Sequence, residues 1–214
     1  MTDNPIYESL ISVHASFARV HGEAACFPAE VTALGGVRGT SARDLVALLD
    51  PGQRVGLFLR APIDRAGLQT IDEDDIVQLV HAGAVDAATE AVLGAADSSQ
   101  MQALAALTKP GPFGTRTHEL GTFLGIRDGA RLVAMAGQRL RLPGAIEVSA
   151  ICTHPEYGGR GYARRLTAAQ LGLVRAAGAT AFLHVRASNA RAIALYEALG
   201  FARRRSFRYV VLSR

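Results

Sequence analysis

A chain of 214 residues with 49% apolar and 20% charged side chains is long enough to bury a core and too mixed to be disordered or low-complexity. No apolar run approaches the ~20 residues a membrane helix needs, and the polar opening MTDNPIYESL does not read as a secretory leader, so no membrane partner is expected. The two cysteines, Cys26 and Cys152, lack metal-ligand spacing; they are expected to be reduced thiols of a cytoplasmic, metal-free protein.

The net charge of +4 divides unevenly. Residues 1–88 hold 6 Arg against 12 Asp and Glu, a net of −6, whereas residues 89–214 hold 16 Arg and Lys109 against 7 acids, a net of +10. Such a split fits either an anionic partner for the second segment or a well-solvated basic face.

Along the chain, Ile6, Leu10, Val13 and Phe17 have helical spacing across residues 6–20. Ser41 is placed to cap a short helix, ARDLVALL, and the runs 54–61 (RVGLFLRA) and 76–81 (IVQLVH) read as strands. The acidic run Asp72 to Asp75 is expected to be a solvated turn, because consecutive carboxylates rarely converge on one ion. EAVLGAAD reads as a strand, followed by a helix through Met101, Leu104 and Leu107 that is capped by Asp97 or Ser98 and ends at Lys109-Pro110-Gly111-Pro112.

ELGTFLGIRD and ARLVAMAGQRLRL then form a hairpin about Asp128-Gly129, and IEVSAICTH (146–154) follows as a strand rich in β-formers. A helix over about 160–177 carries Ala163, Leu166, Ala169, Leu173 and Ala177 on one stripe and stops at Gly178. AFLHVRA is a strand, SNARAIALYEALGF a helix capped by Ser188 or Asn189, and FRYVVL a closing strand. Strands joined first by turns and later by helices imply an α/β (α+β) fold with a mixed sheet, antiparallel early and partly parallel late.

Between the 146–154 strand and its helix lies THPEYGGRGYARRL, where glycines and arginines crowd together. Glycines let backbone N–H groups converge, a helix N-terminus adds unpaired donors and partial positive charge, and Arg160, Arg164 and Arg165 add full charge. The stretch matches neither the Walker phosphate loop nor the dinucleotide fingerprint; a ligand-free strand-to-helix turn is the competing reading.

VSAICTHPEYGGRGYARRL, followed by LHVRASNARAIALYEALGFARR, resembles the GNAT acetyltransferase superfamily, and within it the branch that includes glycine N-acyltransferase. Gly161 and Ala163 occupy the last two defined positions of that family's coenzyme A loop, Arg/Gln-x-x-Gly-x-Gly/Ala, and Asn189, Ala192, Tyr196, Gly200 and Phe201 match its second motif. Gly158 departs from the pattern, standing where the family has Arg or Gln. The resemblance covers residues 89–214; residues 1–88 are expected to form a separate α/β region, a degenerate acyltransferase-like half that extends or lids an acceptor groove.

The resemblance implies a GNAT-type, mostly antiparallel sheet flanked by helices and direct acetyl transfer from acetyl-CoA to an amine acceptor (a small amine, an amino acid or a protein amine), with a non-catalytic acyl-CoA-binding or regulatory module as the alternative. It implies coenzyme A contacts by Ile151, Cys152, Thr153, Gly158, Gly159, Arg160, Gly161, Tyr162, Ala163, Arg164 and Asn189. It also implies Glu147 as general base and Tyr196 as the acid that protonates the leaving thiolate.

Strand alternation puts Glu147 on the face of Ile151 and Thr153, with Cys152 facing away as a core thiol, and an apolar setting for Glu147 would raise its pKa. His118 with Glu119 is a second candidate for the base, whereas His154 and His184 show no partner at a fixed spacing and are read as structural. The arginines at 203–205 and Arg208 lack aromatic interleaving, so an exposed hairpin rim is expected rather than a nucleic-acid site. The protein is expected to be a monomer or homodimer.

Overall fold

The computed structural model describes residues 3–83 and 89–214. Pro5–Leu10 (α1) opens the chain; Asn4 accepts from the Tyr7 N–H at its start, and its apolar residues Ile6 and Leu10 are fully buried. The expected longer helix stops there, because Val13 is half exposed and the chain turns away to form three short strands, Arg19–His21 (β1), Ala24–Cys26 (β2) and Gly35–Val37 (β3). Arg43–Val46 (α2) follows, with the Ser41 hydroxyl accepting from the Arg43 N–H. Next come Arg54–Leu59 (β4) and the 13-residue Gln69–His81 (β5).

The second segment runs Ala91–Leu93 (β6), Ser98–Thr108 (α3), Phe123–Asp128 (β7), Arg131–Leu142 (β8) and Ala145–Thr153 (β9). It continues with Tyr162–Ala176 (α4), Thr180–Arg186 (β10), Ala190–Glu197 (α5) and Phe201–Ser213 (β11). Gly129, Gly178 and Gly200 all have positive φ, as a hairpin turn and two helix stops require. None of these helices is long and apolar enough to cross a membrane.

Strands β4 to β11 form one eight-stranded sheet in the order β4-β11-β5-β10-β9-β8-β7-β6. Every neighbouring pair is antiparallel except β9 and β10. The mixed, mostly antiparallel architecture therefore matches the expected fold class.

The expected two-part division does not describe the sheet. Its boundary at residue 88 lies outside the described residues, but β5 is inserted between β10 and β11, and β4 pairs with β11. The first segment thus completes the sheet of the second. The acidic run shows why: Asp72 to Asp75 lie inside β5, not in a turn, and face arginines of the adjoining strands. Glu73 pairs with Arg65 and Arg208, Asp75 with Arg208, and Asp72 and Asp74 with Arg186. Arg203, Arg204 and Arg205 likewise belong to β11 and not to a hairpin rim. The opposite charges of the two segments neutralise each other across strands.

Both faces of the sheet are covered. On one face α1 packs through Ile6 and Leu10 among Phe27, Phe58, Phe182 and Phe207, and α3 packs through Met101 and Leu104 on Phe123 and Met135; Leu107, expected in that stripe, is half exposed. On the other face, α4 and α5 bury Val148, Leu171, Val174, Leu183 and Ile193. The stripe of α4 is rotated from the expected one, leaving Leu173 39% exposed and burying Thr167 and Gln170. Gln170 turns inward because its amide is satisfied there, donating to the Thr122 and Ala136 carbonyls and accepting from Gln138.

Candidate active site

The parallel ladder between β9 and β10 is short, running from Ala145–Thr180 to Glu147–Phe182. Beyond it the two strands part, and the edge of β9 from Val148 onward has no ladder partner in β10. A cavity of about 760 Å³ opens in the gap, walled by Ser149 to Thr153 of β9, Leu183 to Arg186 of β10, and Asn189 and Tyr196 at α5. Buried backbone groups are normally paired, so a strand edge left open along a cavity is a place where an extended ligand can hydrogen-bond. The Thr153 hydroxyl is buried in this wall without a hydrogen-bond partner among the described residues.

A β-bulge sets the directions of the β9 side chains. The register with β8 slips between Met135–Cys152 and Gly137–Ser149, and Ala150 has φ +52. The extra residue reverses the alternation. Ile146 and Val148 pack toward α4, and so does Ile151, whereas Ala150 and Cys152 pack against Met101 and Leu104 of α3. The expected alternation fails at this point: Cys152 shares the side of Glu147, and Ile151 does not. Burial pushes the Cys152 thiol up to about 11, in keeping with a core thiol and not a nucleophile.

Past β9 a single turn, Pro155–Tyr157, leads into the glycine loop. Gly159 and Gly161 both have φ +77, and Gly161 is the N-cap of α4 with no capping side chain. The first N–H groups of α4, from Tyr162 to Arg164, are therefore left for an outside acceptor. The Arg160 guanidinium lies 4.7 Å over the Tyr157 ring, beside this helix end, and Arg164 is exposed. Arg165 is tied to Glu90 by both Nε and Nη2. Gly158 is extended, at φ −61 and ψ 153, so the turn does not demand a glycine there.

The other end of the cavity is built from residues far apart in the chain. A row of polar side chains crosses five adjacent strands: Arg204 on β11, Gln78 on β5, His184 on β10, Glu147 on β9 and Arg139 on β8. Arg139 donates through Nε and Nη2 to the two Glu147 oxygens at 2.9 and 2.7 Å. The Leu140 N–H adds a third bond at 3.2 Å, and His184 Nδ1 meets Glu147 Oε1 at 2.7 Å. Arg204 donates to Gln78 Oε1 at 2.8 Å, which leaves the Gln78 amide N–H to donate to His184 Nε2 at 3.1 Å and puts the imidazole proton on Nδ1.

This network changes the reading of Glu147. The residue is fully buried, but its setting is ionic and not apolar. Burial pushes its carboxyl up; Arg139, by charge and hydrogen bonds, and His184 outweigh that and hold it at about 2. A carboxylate with both oxygens occupied and its pKa depressed is not poised to take a proton from an amine. Its two oxygens are hydrogen-bonded by Arg139 and His184. His184 is lowered by burial despite Glu147 and is neutral.

Sequence reasoning missed Arg139 and the His184 partnership altogether. Glu147 and Arg139 are eight residues apart across a hairpin with a register slip, and Glu147 and His184 are 37 apart on parallel strands. Only the two-residue alternation of AFLHVRA, with a histidine on the face of Phe182, hinted that His184 points into the core.

Of the remaining candidates, Tyr196 lines the cavity, and its hydroxyl is raised to about 12 by burial, with Cys152 adding to the effect. Asn189 caps α5, its Oδ1 accepting from the Ala192 N–H at 3.1 Å. Glu119 is held by Arg116 on both oxygens, and neither it nor His118 lines the cavity. The cavity's floor includes Phe58, Ile76 and Asp72, all from the first segment.

Comparison with known proteins agrees with this geometry. Residues 123–210 match the FR47-like protein family. Over 84 residues, 38% of the chain, the sequence is 42% identical to an N-alpha-acetyltransferase RimI of Mycobacterium tuberculosis, and the match spans about half (52%) of that relative's length. The fold superposes on a GCN5-related N-acetyltransferase of Kribbella flavida with a TM-score of 0.60 at 17% identity, covering 96% of this chain and 95% of that one. It superposes on a putative acetyltransferase of the GNAT family from Novosphingobium aromaticivorans with a TM-score of 0.94 at 33% identity, covering 99% of this chain and 97% of that one. The chain belongs to the GNAT family of acetyltransferases.

Proposed function

We propose that the cleft between β9 and β10 binds acetyl-CoA and that the acetyl group passes directly to an amine entering from the far end of the cavity. The observation that carries this reading is the open edge of β9, which leads without interruption into the uncapped, glycine-bounded start of α4. The edge at Ile151, Cys152 and Thr153 suits the amide-bearing arm of coenzyme A. The donors from Gly159 to Arg164 suit its pyrophosphate, and Asn189 lies at the same wall. The unpaired Thr153 hydroxyl is one polar group such a ligand would satisfy.

In the reaction the amine nitrogen forms a bond to the thioester carbonyl carbon and the carbon–sulfur bond breaks, with the electron pair leaving on sulfur. Tyr196 gives its proton to that thiolate, the acetylated nitrogen releases its extra proton to solvent as the amide forms, and the tyrosinate recovers a proton from solvent. A hydroxyl pushed up to about 12 stays protonated through the neutral range, as a proton donor must. The amine enters neutral, its proton lost to solvent, and Glu147 serves as a positioning residue.

The relative from Mycobacterium tuberculosis bears the name of an N-alpha-acetyltransferase, which supports an α-amine as acceptor. These comparisons do not support the glycine N-acyltransferase branch. Release of coenzyme A thiol from acetyl-CoA, followed over a panel of amines, tests the reading. Turnover with at least one amine is expected; tight acetyl-CoA binding with no turnover on any amine would instead make the protein a binding module.

A further inference from the structure

The proposed acetyl transfer leaves the acceptor open, and this inference rests on that reading while narrowing the acceptor's chemistry. Arg139 is buried to 7% exposure, yet it lines the cavity. Its Nε and Nη2 are spent on Glu147, and Nη1 has no hydrogen-bond partner among the described residues. That nitrogen lies 3.5 Å from where a side chain on Gly111, itself in the cavity wall, would begin, and the guanidinium lies 5.9 Å over the Phe58 ring. A buried guanidinium with one edge clamped and the other open to a cavity is a preorganised donor for an oxygen of a ligand.

The charges around it say which oxygen. Arg139 and Glu147 cancel, but Lys109 lines the same cavity without an acidic partner among the described residues, and so does Arg191. Asp72 is the acid in the lining, and it is already shared with Arg186. The other acids of the run Asp72 to Asp75 are likewise paired with arginines. The cavity lining therefore carries an excess of positive charge.

We propose that the acceptor is an amine that also carries a carboxylate, of the free amino acid class, and that Arg139 Nη1, with Lys109 nearby, binds that carboxylate. The row from Gln78 through His184 and Glu147 holds the guanidinium in the one orientation that leaves Nη1 free. Fixing the carboxylate at Arg139 leaves the amine end to reach the splayed strands where the thioester carbonyl would lie.

The test compares free amino acids with their amides and with tripeptides of the same N-terminal residue, using the full chain and acetyl-CoA. kcat/KM for the free acid is expected to exceed that for its amide by roughly 10- to 100-fold, the range of a charge-assisted hydrogen bond. Arg139→Met should collapse that ratio toward one without changing acetyl-CoA affinity by calorimetry, and Arg139→Lys should restore part of it. Because Arg139→Met leaves Glu147 buried without its partner, Lys109→Ala provides a second variant that leaves the row intact. It should lower the ratio severalfold.

Calorimetric titration of the free acid into protein saturated with coenzyme A reads acceptor binding without turnover. Arg139-dependent binding in the absence of turnover would keep this inference and sink the transferase reading. Equal use of acid and amide, preference for the tripeptide, or an unchanged ratio in both variants would overturn the carboxylate site.

Discussion

The two ends of the cleft are built on opposite plans. The end proposed for the coenzyme is mostly local: apart from Asn189, it is one strand edge, one turn and one helix start within residues 148–164. It is held by backbone geometry, with positive φ at Gly159 and Gly161. The acceptor end is assembled from five strands drawn from both segments, and side-chain hydrogen bonds hold it together. A site built from backbone should tolerate most side-chain changes and fail where φ is violated. A site built from a buried charged row should fail wherever one member is removed.

The sharpest way to break the first plan is Gly161→Asp. A Cβ there meets nothing within 4 Å, so the fold should survive, but φ +77 strains any side chain and a carboxylate would oppose a phosphate. Acetyl-CoA affinity by calorimetry should fall by about 100-fold or more, and retained affinity would remove the phosphate cradle from the account. The next largest effect belongs to Tyr196→Phe. Loss of a proton donor in the transition state should lower kcat by about 100-fold with little change in acetyl-CoA affinity.

Acid titration probes the second plan. Glu147 sits at about 2 in the folded protein against an ordinary 4.5, so its contribution to stability is complete above pH 4.5 and is lost as pH falls toward 2. Denaturant midpoints of the wild type should therefore decline more steeply over that window than those of Glu147→Gln, which has no carboxyl to titrate. Parallel declines would mean that the row does not stabilise the ionised carboxylate.

The smallest effect concerns the departure at Gly158. Its backbone suits any residue, and an added Cβ would meet only the Pro155 carbonyl oxygen at 3.3 Å. Gly158→Arg is expected to tighten acetyl-CoA binding by about two- to fivefold, the worth of an exposed charge near a phosphate. A weaker complex would show that the glycine is needed for the turn.

The contrast between the two ends also explains what could be read from the chain. THPEYGGRGYARRL announced its geometry because glycines, a helix start and their spacing are consecutive, and the Asn189 cap and Gly200 stop were legible for the same reason. The row was not legible, because strand register is a long-range property. Two bulges on the β8–β9 pair shift which residues face one another, and Ala150 reverses the alternation on which the placement of Glu147 and Cys152 had rested. The acidic run Asp72 to Asp75 looked like a solvated turn because its arginine partners lie more than 100 residues away on β10 and β11, or eight residues back at Arg65. Insertion of β5 between β10 and β11 carries no local signal at all.

Glu147 is proposed to hold Arg139 and His184 in place and not to take the amine's proton. The pH dependence of acetyl transfer in Glu147→Gln tests it most directly, with acceptor KM and kcat measured at each pH. Acceptor KM is expected to rise about tenfold while kcat stays within about threefold and the ascending limb of the profile keeps its position, since a group at about 2 does not titrate there. Loss or displacement of that limb, with kcat falling by about 100-fold or more at unchanged acceptor KM, would make Glu147 the base.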